Sequence, residues 1–192
     1  YHNAGGMILR GPGAASLPEY AAEDLAVYDK LGQNGEFMLP FYRYLIVHKD
    51  LYTVHGGFVN WTAEGLGIVS FTNELWNDQQ YSQKPRTEGG ARADDERLRW
   101  DELLNFGLQF VAWHAVKHPE HGDVEIGGWS KWSSRVPPAF MLPELCHRNT
   151  MFTLHHAEEM PDVVLEAPEI EGLGGELYRV RVSLRNQRLS PT

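Results

Sequence analysis

The run of residues 67–75 carries the strongest strand signal in the chain, and it ends close to an acid. It reads GIVSFTNEL, so alternate residues ending with Thr72 and Glu74 share one face of the predicted strand. An ionised carboxylate that is desolvated without a partner is destabilising by several kcal/mol. The fold must therefore contain a sheet in which Glu74 meets solvent, a salt bridge or a functional site.

Other segments of the first half alternate between strand and helix patterns. Residues 7–9 form a short apolar run that a Gly-Pro-Gly turn closes, and residues 44–47 are also β-rich. Apolar residues at helical spacing predict a helix over residues 17–31, with a Ser-x-x-Glu capping box at its start and Gly32 at its end. The body of the protein is therefore predicted to be α/β.

The second half begins with a polar segment and ends with strands. Residues 79–96 are polar and charged, which predicts an exposed loop. Residues 96–117 hold too many apolar residues for one stripe, so they predict a helix buried on more than one side. A short strand at residues 123–126 and a helix at residues 143–156 follow, and the chain becomes strand-rich from about residue 163.

Charge and cysteine content narrow the class of function. The chain has 26 acidic and 17 basic residues and a net charge of −9, and no Lys/Arg cluster alternates with aromatic residues. This composition argues against a nucleic-acid or anionic-membrane surface. Cys146 is the only cysteine, which excludes an intrachain disulfide and any structural zinc site built from several cysteines. Chemistry on a small molecule or a peptide is the remaining expectation, and no apolar run is long enough to span a membrane.

Three groups of residues resemble metal or nucleophile sites but have simpler explanations. His114 and His118 lie at i, i+4 of the predicted helix near His121, but cationic side chains are favoured at a helix C-terminus by the helix dipole alone. The stretch LHHAEEM holds two overlapping His-x-x-Glu patterns, which arise by chance in an acidic, His-rich chain. Cys146, followed by His147, is expected to be a buried structural cysteine rather than a thiol nucleophile.

A better candidate combines His2, Tyr52 and Glu74. His2 precedes the first strand, Tyr52 lies just before a Gly-Gly turn, and Glu74 is near the end of the central strand. Ligands in open α/β sheets bind at the carboxyl ends of strands. A histidine, a carboxylate and a tyrosine gathered there suit metal-assisted hydrolysis. A salt-bridged glutamate with no catalytic role is the competing interpretation.

Two ordered segments resemble the second half of a carboxypeptidase A-like zinc peptidase, of the metallocarboxypeptidase family. They are HNAGGMILRGPG, with its histidine before an apolar strand, and YTVHGGFVNWTAEGLGIVSFTNELWN. The second segment supplies the family's tyrosine, Gly-Gly turn, Asn-Trp pair and Phe-Thr-x-Glu-Leu pattern without a gap. The chain departs from the family after Glu-Leu, where Trp76 and Asn77 replace the usual Arg-Asp, so the subfamily stays open.

The resemblance implies a role for four residues. His2 corresponds to the third zinc ligand, Glu74 to the general base, and Tyr52 to the mobile residue that closes over the substrate. Val59 corresponds to the position that tunes the side-chain pocket, and a valine there suits a neutral or hydrophobic substrate side chain. The implied cofactor is Zn²⁺, and this chain carries one of the three expected protein ligands.

The resemblance also implies a fold and a domain organisation. The fold would be a partial mixed β-sheet flanked by helices, the second half of a zinc carboxypeptidase fold, with a short strand-rich C-terminal tail. Residues 1–160 would be the C-terminal portion of the catalytic domain and residues 161–192 the start of a truncated β-rich module. The resemblance itself covers residues 1–117, approximately. A missing N-terminal half, which would hold the other ligands, is an expected partner.

The expected function is hydrolysis of the C-terminal peptide bond of a peptide substrate. The isolated chain is expected to be inactive, because most of the metal site would lie in the missing half. The family implies a secreted or periplasmic location. Two alternatives remain open on the same fold. One is a non-catalytic module that binds peptide or glycan, and the other is a zinc amidase or deacylase that treats another acyl substrate.

Overall fold

The computed structural model describes residues 1–77, 94–133 and 135–191, and it is mixed α/β. These residues form one four-stranded sheet, three two-stranded sheets and three long helices. A loop was predicted for residues 79–96. Residues 79–93 lie outside the described residues, and residues 94–96 are helical. The helices are α1 (Ala22–Met38), α2 (Asp94–Asn105) and α3 (Leu142–Glu158). The strands are β1 (His2–Asn3), β2 (Met7–Arg10), β3 (Arg43–Ile46), β4 (Thr72–Leu75), β5 (Phe110–His118), β6 (Gly122–Trp129), β7 (Val163–Leu165), β8 (Glu169–Gly174), β9 (Leu177–Arg181) and β10 (Leu184–Asn186).

The four-stranded sheet is mixed and has the strand order β1-β4-β2-β3. β1 runs parallel to β4 and β2 runs parallel to β3, whereas β2 and β4 are antiparallel. In this register His2 and Met7 both lie opposite Glu74, one on each side of β4. The mixed sheet and the strands predicted near residues 7–9 and 44–47 are therefore confirmed, and the register brings the first residues of the chain to Glu74.

The central strand is shorter than predicted. Only Thr72–Leu75 is β-strand, and the residues before it form other hydrogen bonds. The amide of Ile68 donates to the carbonyl oxygen of Thr62, and the amide of Ser70 donates to the Tyr28 hydroxyl at 3.1 Å. These bonds satisfy the backbone without a neighbouring strand. The predicted alternation holds within β4, since Thr72 and Glu74 line a cleft while Asn73 is buried.

Helix α1 starts and ends later than predicted. The proposed capping box is not used, because the helix begins at Ala22 without a side-chain cap and Glu19 forms an ion pair with Lys49 at 3.0 Å. Acidic residues in the first turn favour this start through the helix dipole. Gly32 does not end the helix. A Cβ atom there would lie 2.5 Å from the ring of Tyr44, so this glycine allows α1 to approach β3 closely.

The long helix predicted for residues 96–117 is wrong in its second half. Helix α2 ends at Asn105, where Phe106 and Gly107 adopt positive φ angles of 56° and 72°. The buried carboxylate of Asp101 then accepts hydrogen bonds from the amides of Gln109 and Phe110, both at 2.9 Å, and β5 begins. The apolar density of this segment belongs to a helix and a strand, and β5 pairs with a β6 that is longer than predicted.

Helix α3 confirms the helix predicted for residues 143–156 and covers the main core. Its buried side chains are Leu145, Asn149 and Phe152. The buried core cluster consists of Ile8, Leu39, Tyr42, Trp76, Leu145 and Phe152. Asn149 is satisfied within this core, since its Nδ2 atom donates to the Leu145 carbonyl oxygen at 3.0 Å and its Oδ1 atom accepts from Asn73. One face of the sheet is therefore fixed against α1 and α3.

The predicted strand-rich tail is confirmed and is attached to the end of α3. β7 pairs with β10 and β8 pairs with β9, in both cases antiparallel. The amide of Leu189 donates to a carboxylate oxygen of Glu159 at 3.1 Å, and the amide of Ser190 donates to the Glu159 carbonyl oxygen at 3.0 Å. The domain division at residue 160 stays a prediction. No helix of the described residues has the length and apolar character needed to cross a bilayer.

His156 makes the stability of this fold depend on pH. Its ring lies 5.5 Å from that of Phe71, and burial lowers the pKa of His156 although a hydrogen bond with the Val69 backbone partly opposes the shift. The unfolded state then binds a proton more readily than the native state, so stability falls as pH drops below about 6.5. We expect the urea midpoint to fall between pH 7.5 and pH 5.5, and to fall less in His156→Gln. An equal loss in wild type and His156→Gln, with exposed His147→Gln as control, would contradict this assignment.

Candidate functional site

His2 and Glu74 form the centre of the candidate site. They occupy paired positions of the parallel strands β1 and β4, so their side chains emerge from the same face. The Nδ1 atom of His2 lies 3.1 Å from Oε1 and 3.3 Å from Oε2 of Glu74. The two residues are 72 positions apart in sequence, and the sheet register alone brings them together.

The two side chains differ in their access to solvent. The Glu74 side chain is 18% exposed and the His2 side chain is 70% exposed. A largely covered carboxylate needs a partner, and the His2 imidazole provides one. Glu74 was expected to meet solvent, a salt bridge or a functional site. The structure shows a salt bridge or hydrogen bond to His2 at the wall of a cleft. This arrangement leaves the outer edge of the imidazole accessible.

Tyr52 reaches the same cleft from a helical turn. Residues Val47–Leu51 form a single wide turn, and the amide of Tyr52 donates to the Val47 carbonyl oxygen at 3.1 Å as the turn ends. Gly56 follows with a positive φ of 72°, a backbone conformation that glycine adopts without steric strain. The Tyr52 side chain is 68% exposed and lines the cleft. The Tyr52 side chain is therefore accessible to a molecule that enters the cleft.

Val59 is a buried residue of the cleft wall. It belongs to the short helical turn Phe58–Asn60 and is 7% exposed. The cleft has a volume of about 780 Å³, and apolar side chains supply most of its side-chain lining. All four residues assigned from the sequence, His2, Tyr52, Val59 and Glu74, line it. The cleft therefore combines one acid–imidazole pair with an apolar wall.

Arg135 lines the same cleft and was not singled out from the sequence. It lies in the loop between β6 and α3, more than 60 residues after Glu74 in the chain. Its carbonyl oxygen accepts a hydrogen bond of 3.0 Å from Nδ2 of Asn3, the residue after His2. No sequence signal marked this arginine, because nothing in its local pattern indicates that the loop returns to β1.

The other histidine groups do not join this site. His114 and His118 lie on β5, so the explanation of both as cations at a helix end is wrong. Instead, the Nδ1 atom of His118 accepts hydrogen bonds from the backbone amides of Glu120 and His121 in the hairpin turn. His155 contacts Asn34 on α1, with 3.0 Å between Nε2 and the amide nitrogen.

Cys146 also differs from its expectation. It is exposed on α3 rather than buried, and it lines a separate apolar groove with Leu75 and Leu145. Neither the thiol nor His147 lies in the cleft that contains Glu74. A thiol–imidazole nucleophile is therefore not part of the candidate site.

The donor atoms of the cleft fit one position of a catalytic zinc site. Such a site uses three protein ligands and a water, and no group of three His, Cys, Asp or Glu residues able to hold a metal occurs in residues 1–77, 94–133 and 135–191. His2 can act as one ligand through either ring nitrogen. Ligation through Nε2 would leave Glu74 orienting the ring at Nδ1, whereas ligation through Nδ1 would remove that proton and release the carboxylate.

Comparisons with models of protein families, with curated proteins and with solved structures found no match. The interpretation of this site therefore depends on its residues and their geometry. An acid held against an imidazole in a largely apolar cleft can accept and return a proton. The exposed phenol of Tyr52 and the cationic Arg135 on the same walls can contact a polar substrate.

Proposed function

We propose that this chain is part of a zinc metallocarboxypeptidase that hydrolyses C-terminal peptide bonds. Glu74 is the general base, His2 is one zinc ligand, Tyr52 closes over the substrate, and Val59 shapes the side-chain pocket. The proposal is supported chiefly by the His2–Glu74 pair, whose atoms lie 3.1 Å apart in the cleft that Tyr52 and Val59 also line. Two more zinc ligands are required from outside the described residues.

The reaction proposed for the cleft is addition of water to the scissile carbonyl carbon. Zinc, when bound, would polarise that carbonyl and increase the acidity of a water molecule. Glu74 accepts a proton from the attacking water at a carboxylate oxygen and then gives it to the nitrogen of the leaving amino acid. Closure of Tyr52 over a bound substrate would reduce the access of water to Glu74, which would strengthen its electrostatic interactions with the reacting groups.

The same geometry favours a substrate with a neutral or apolar C-terminal side chain. Val59 is buried in the cleft wall, and the nearby cleft residues Val47 and Val54 are also aliphatic. Burial of a methylene group is worth about 0.8 kcal/mol, so a leucine-sized side chain gains more from this wall than a charged one. The hydroxyl of Tyr52 is the polar group best able to follow the substrate, because its side chain is exposed.

A substitution of His2 tests whether it is a metal ligand. In the intact protein that contains this chain, His2→Ala should lower both zinc affinity and hydrolysis, because a ligand is removed. Zinc content after dialysis, measured by mass spectrometry of the metal, is the readout. His114→Ala, on a hairpin outside the cleft, is the matched control and should keep full zinc content.

The 192-residue chain alone provides a second arm of this test. With His2 as the one ligand that the proposal assigns here, the chain should hold no stoichiometric zinc and release no amino acid. Tight one-to-one zinc binding by the isolated chain would contradict the proposed division of ligands. Unchanged zinc content in His2→Ala of the intact protein would show instead that His2 is structural.

A further inference from the structure

The chain just before Tyr52 is tied to the turn that follows strand β2. This Gly-Pro-Gly turn spans residues 11–13. The Nδ1 atom of His48, in the wide turn that precedes Tyr52, lies 2.9 Å from the Pro12 carbonyl oxygen. Because a carbonyl oxygen only accepts hydrogen bonds, Nδ1 is the donor. The imidazole therefore holds the wide turn against the Gly-Pro-Gly turn.

The chain just after Tyr52 is tied to the same Gly-Pro-Gly turn. The amide of Val54 donates to the Gly13 carbonyl oxygen at 2.8 Å. The two backbones are also in close steric contact, because a Cβ atom on Gly13 would lie 2.6 Å from the Val54 carbonyl oxygen and 2.8 Å from Nδ2 of Asn60. Residues 49–53, the Tyr52 segment, are therefore flanked on both sides by contacts with this turn.

The Gly-Pro-Gly turn is itself anchored by Arg10, the last residue of β2. The guanidinium is buried, and it donates to the Gly11 carbonyl oxygen at 2.7 Å and to the Tyr44 hydroxyl at 2.6 Å. The Tyr44 hydroxyl in turn donates to Asp29 at 3.0 Å. The guanidinium also lies within 6.0 Å of the ring centroids of three tyrosines, which compensates part of the cost of burying a cation. These contacts make the turn a fixed point of the fold.

We infer that the Gly-Pro-Gly turn, anchored by Arg10, positions Tyr52 for the substrate through His48 and Gly13. His48 and Gly13 lie outside the described lining of the cleft, whereas the Tyr52 side chain lines it. Both are positioning residues, since they reach the substrate only through Tyr52. A segment fixed at both ends has fewer conformations to lose when its phenol contacts a ligand, so binding is tighter. The inference rests on the proposed function for the identity of the substrate and the role of Tyr52.

Peptide binding tests whether His48 acts through Tyr52. Titration calorimetry with acetyl-Ala-Ala-Leu would use the intact, zinc-loaded Glu74→Gln protein, in which loss of the general base prevents hydrolysis of the probe. His48→Ala should weaken binding about 5- to 20-fold when Tyr52 is present and less than about 2-fold in Tyr52→Ala, because residues that act through one another are not additive. His48→Asn keeps a side-chain N–H donor and should restore most of the affinity.

A substitution of Gly13 perturbs the Tyr52 segment from its other end. Gly13→Ala would force the Val54 carbonyl to shift, so it should also weaken peptide binding when Tyr52 is present and have little effect in Tyr52→Ala. Gly172→Ala, on β8, is the matched control and should bind the peptide as the parent does. The nearest atom to a Cβ there would be 3.9 Å away, which is an ordinary contact.

Hydrogen exchange and steady-state kinetics of the intact protein complete the test. In His48→Ala and Gly13→Ala, amide exchange should be faster across the Tyr52 segment and unchanged over α3. In protein that retains Glu74, the same variants should raise KM while kcat stays within about 2-fold, because the base is untouched.

The outcomes separate this inference from the proposed function. Equal weakening by His48→Ala with and without Tyr52, or unchanged exchange in both variants, would show that the turn does not position Tyr52 and would leave the peptidase proposal intact. A fall in kcat with KM unchanged would likewise overturn the inference. If the parent proteins neither bind nor hydrolyse the peptide, the proposed function is wrong, and the inference that rests on it falls as well.

Discussion

The intact, zinc-loaded Glu74→Gln protein should retain its metal and lose peptide hydrolysis by about 10²–10⁴-fold in kcat, the usual contribution of a general base. Glutamine has almost the same shape as glutamate but cannot accept a proton at neutral pH. The side chain is largely covered and lies 3.1 Å from His2, so an amide can keep the contact through its oxygen. The measurement combines steady-state kinetics with metal analysis of the same sample.

The zinc content of this variant separates two roles for the carboxylate. A carboxylate that orients a ligating histidine typically contributes 10- to 100-fold to metal affinity. A drop of that size in Glu74→Gln, with near-normal turnover at saturating zinc, would show that Glu74 orients His2 and is not the base. Glu144→Gln, which removes an exposed carboxylate on α3 from an ion pair with Arg148, should change neither quantity.

The second large effect is a loss of stability, which is expected when the contact between α3 and the sheet is weakened. Phe152→Ala should lower the free energy of unfolding by about 3–5 kcal/mol, because it removes a buried aromatic side chain and leaves a cavity. Phe152 is 3% exposed and its ring lies 5.9 Å from that of Phe71. It also packs against α1, where a Cβ atom on Gly35 would come within 2.8 Å of its ring. Urea unfolding monitored by circular dichroism gives the value.

Met151→Ala is the matched control for this prediction. Met151 is the neighbouring residue on α3 and is 41% exposed, so its truncation should cost well under half as much. Equal losses in the two variants would contradict the assignment of Phe152 to the core. A small loss in Phe152→Ala alone would mean that α3 does not hold the sheet in the way described.

Local signals in the sequence predicted the elements that they control directly. The strand closed by the Gly-Pro-Gly turn (β2) and the helix predicted for residues 143–156 (α3) both have bounds close to those observed. The failures arose where a distant contact decided the outcome. Gly32 has the sequence context of a helix end, but α1 continues through it because Tyr44 packs there. The helix predicted through residue 117 stops at Asn105 because Asp101 caps the next segment with two backbone hydrogen bonds.

In the candidate site, too, residues that belong to local motifs were predicted, whereas contacts between distant parts of the chain were not. His2, Tyr52, Val59 and Glu74 were assigned from ordered motifs, and all four line one cleft. Their assigned roles stay predictions. The hydrogen bond between His2 and Glu74 follows from sheet register, which alternation within β4 does not determine. Arg135 was missed because its place depends on a hydrogen bond from Asn3 to its carbonyl oxygen.

Release of a single C-terminal amino acid is the most direct test of the central proposal. The intact protein would be incubated with acetyl-Ala-Ala-Leu and with its C-terminal amide, and free leucine would be measured by chromatography before chelation, after chelation and after zinc is restored. The account predicts leucine release from the free acid alone, abolished by chelation, restored by zinc and absent in Glu74→Gln. No release by the zinc-loaded protein, or equal release by Glu74→Gln, would contradict it.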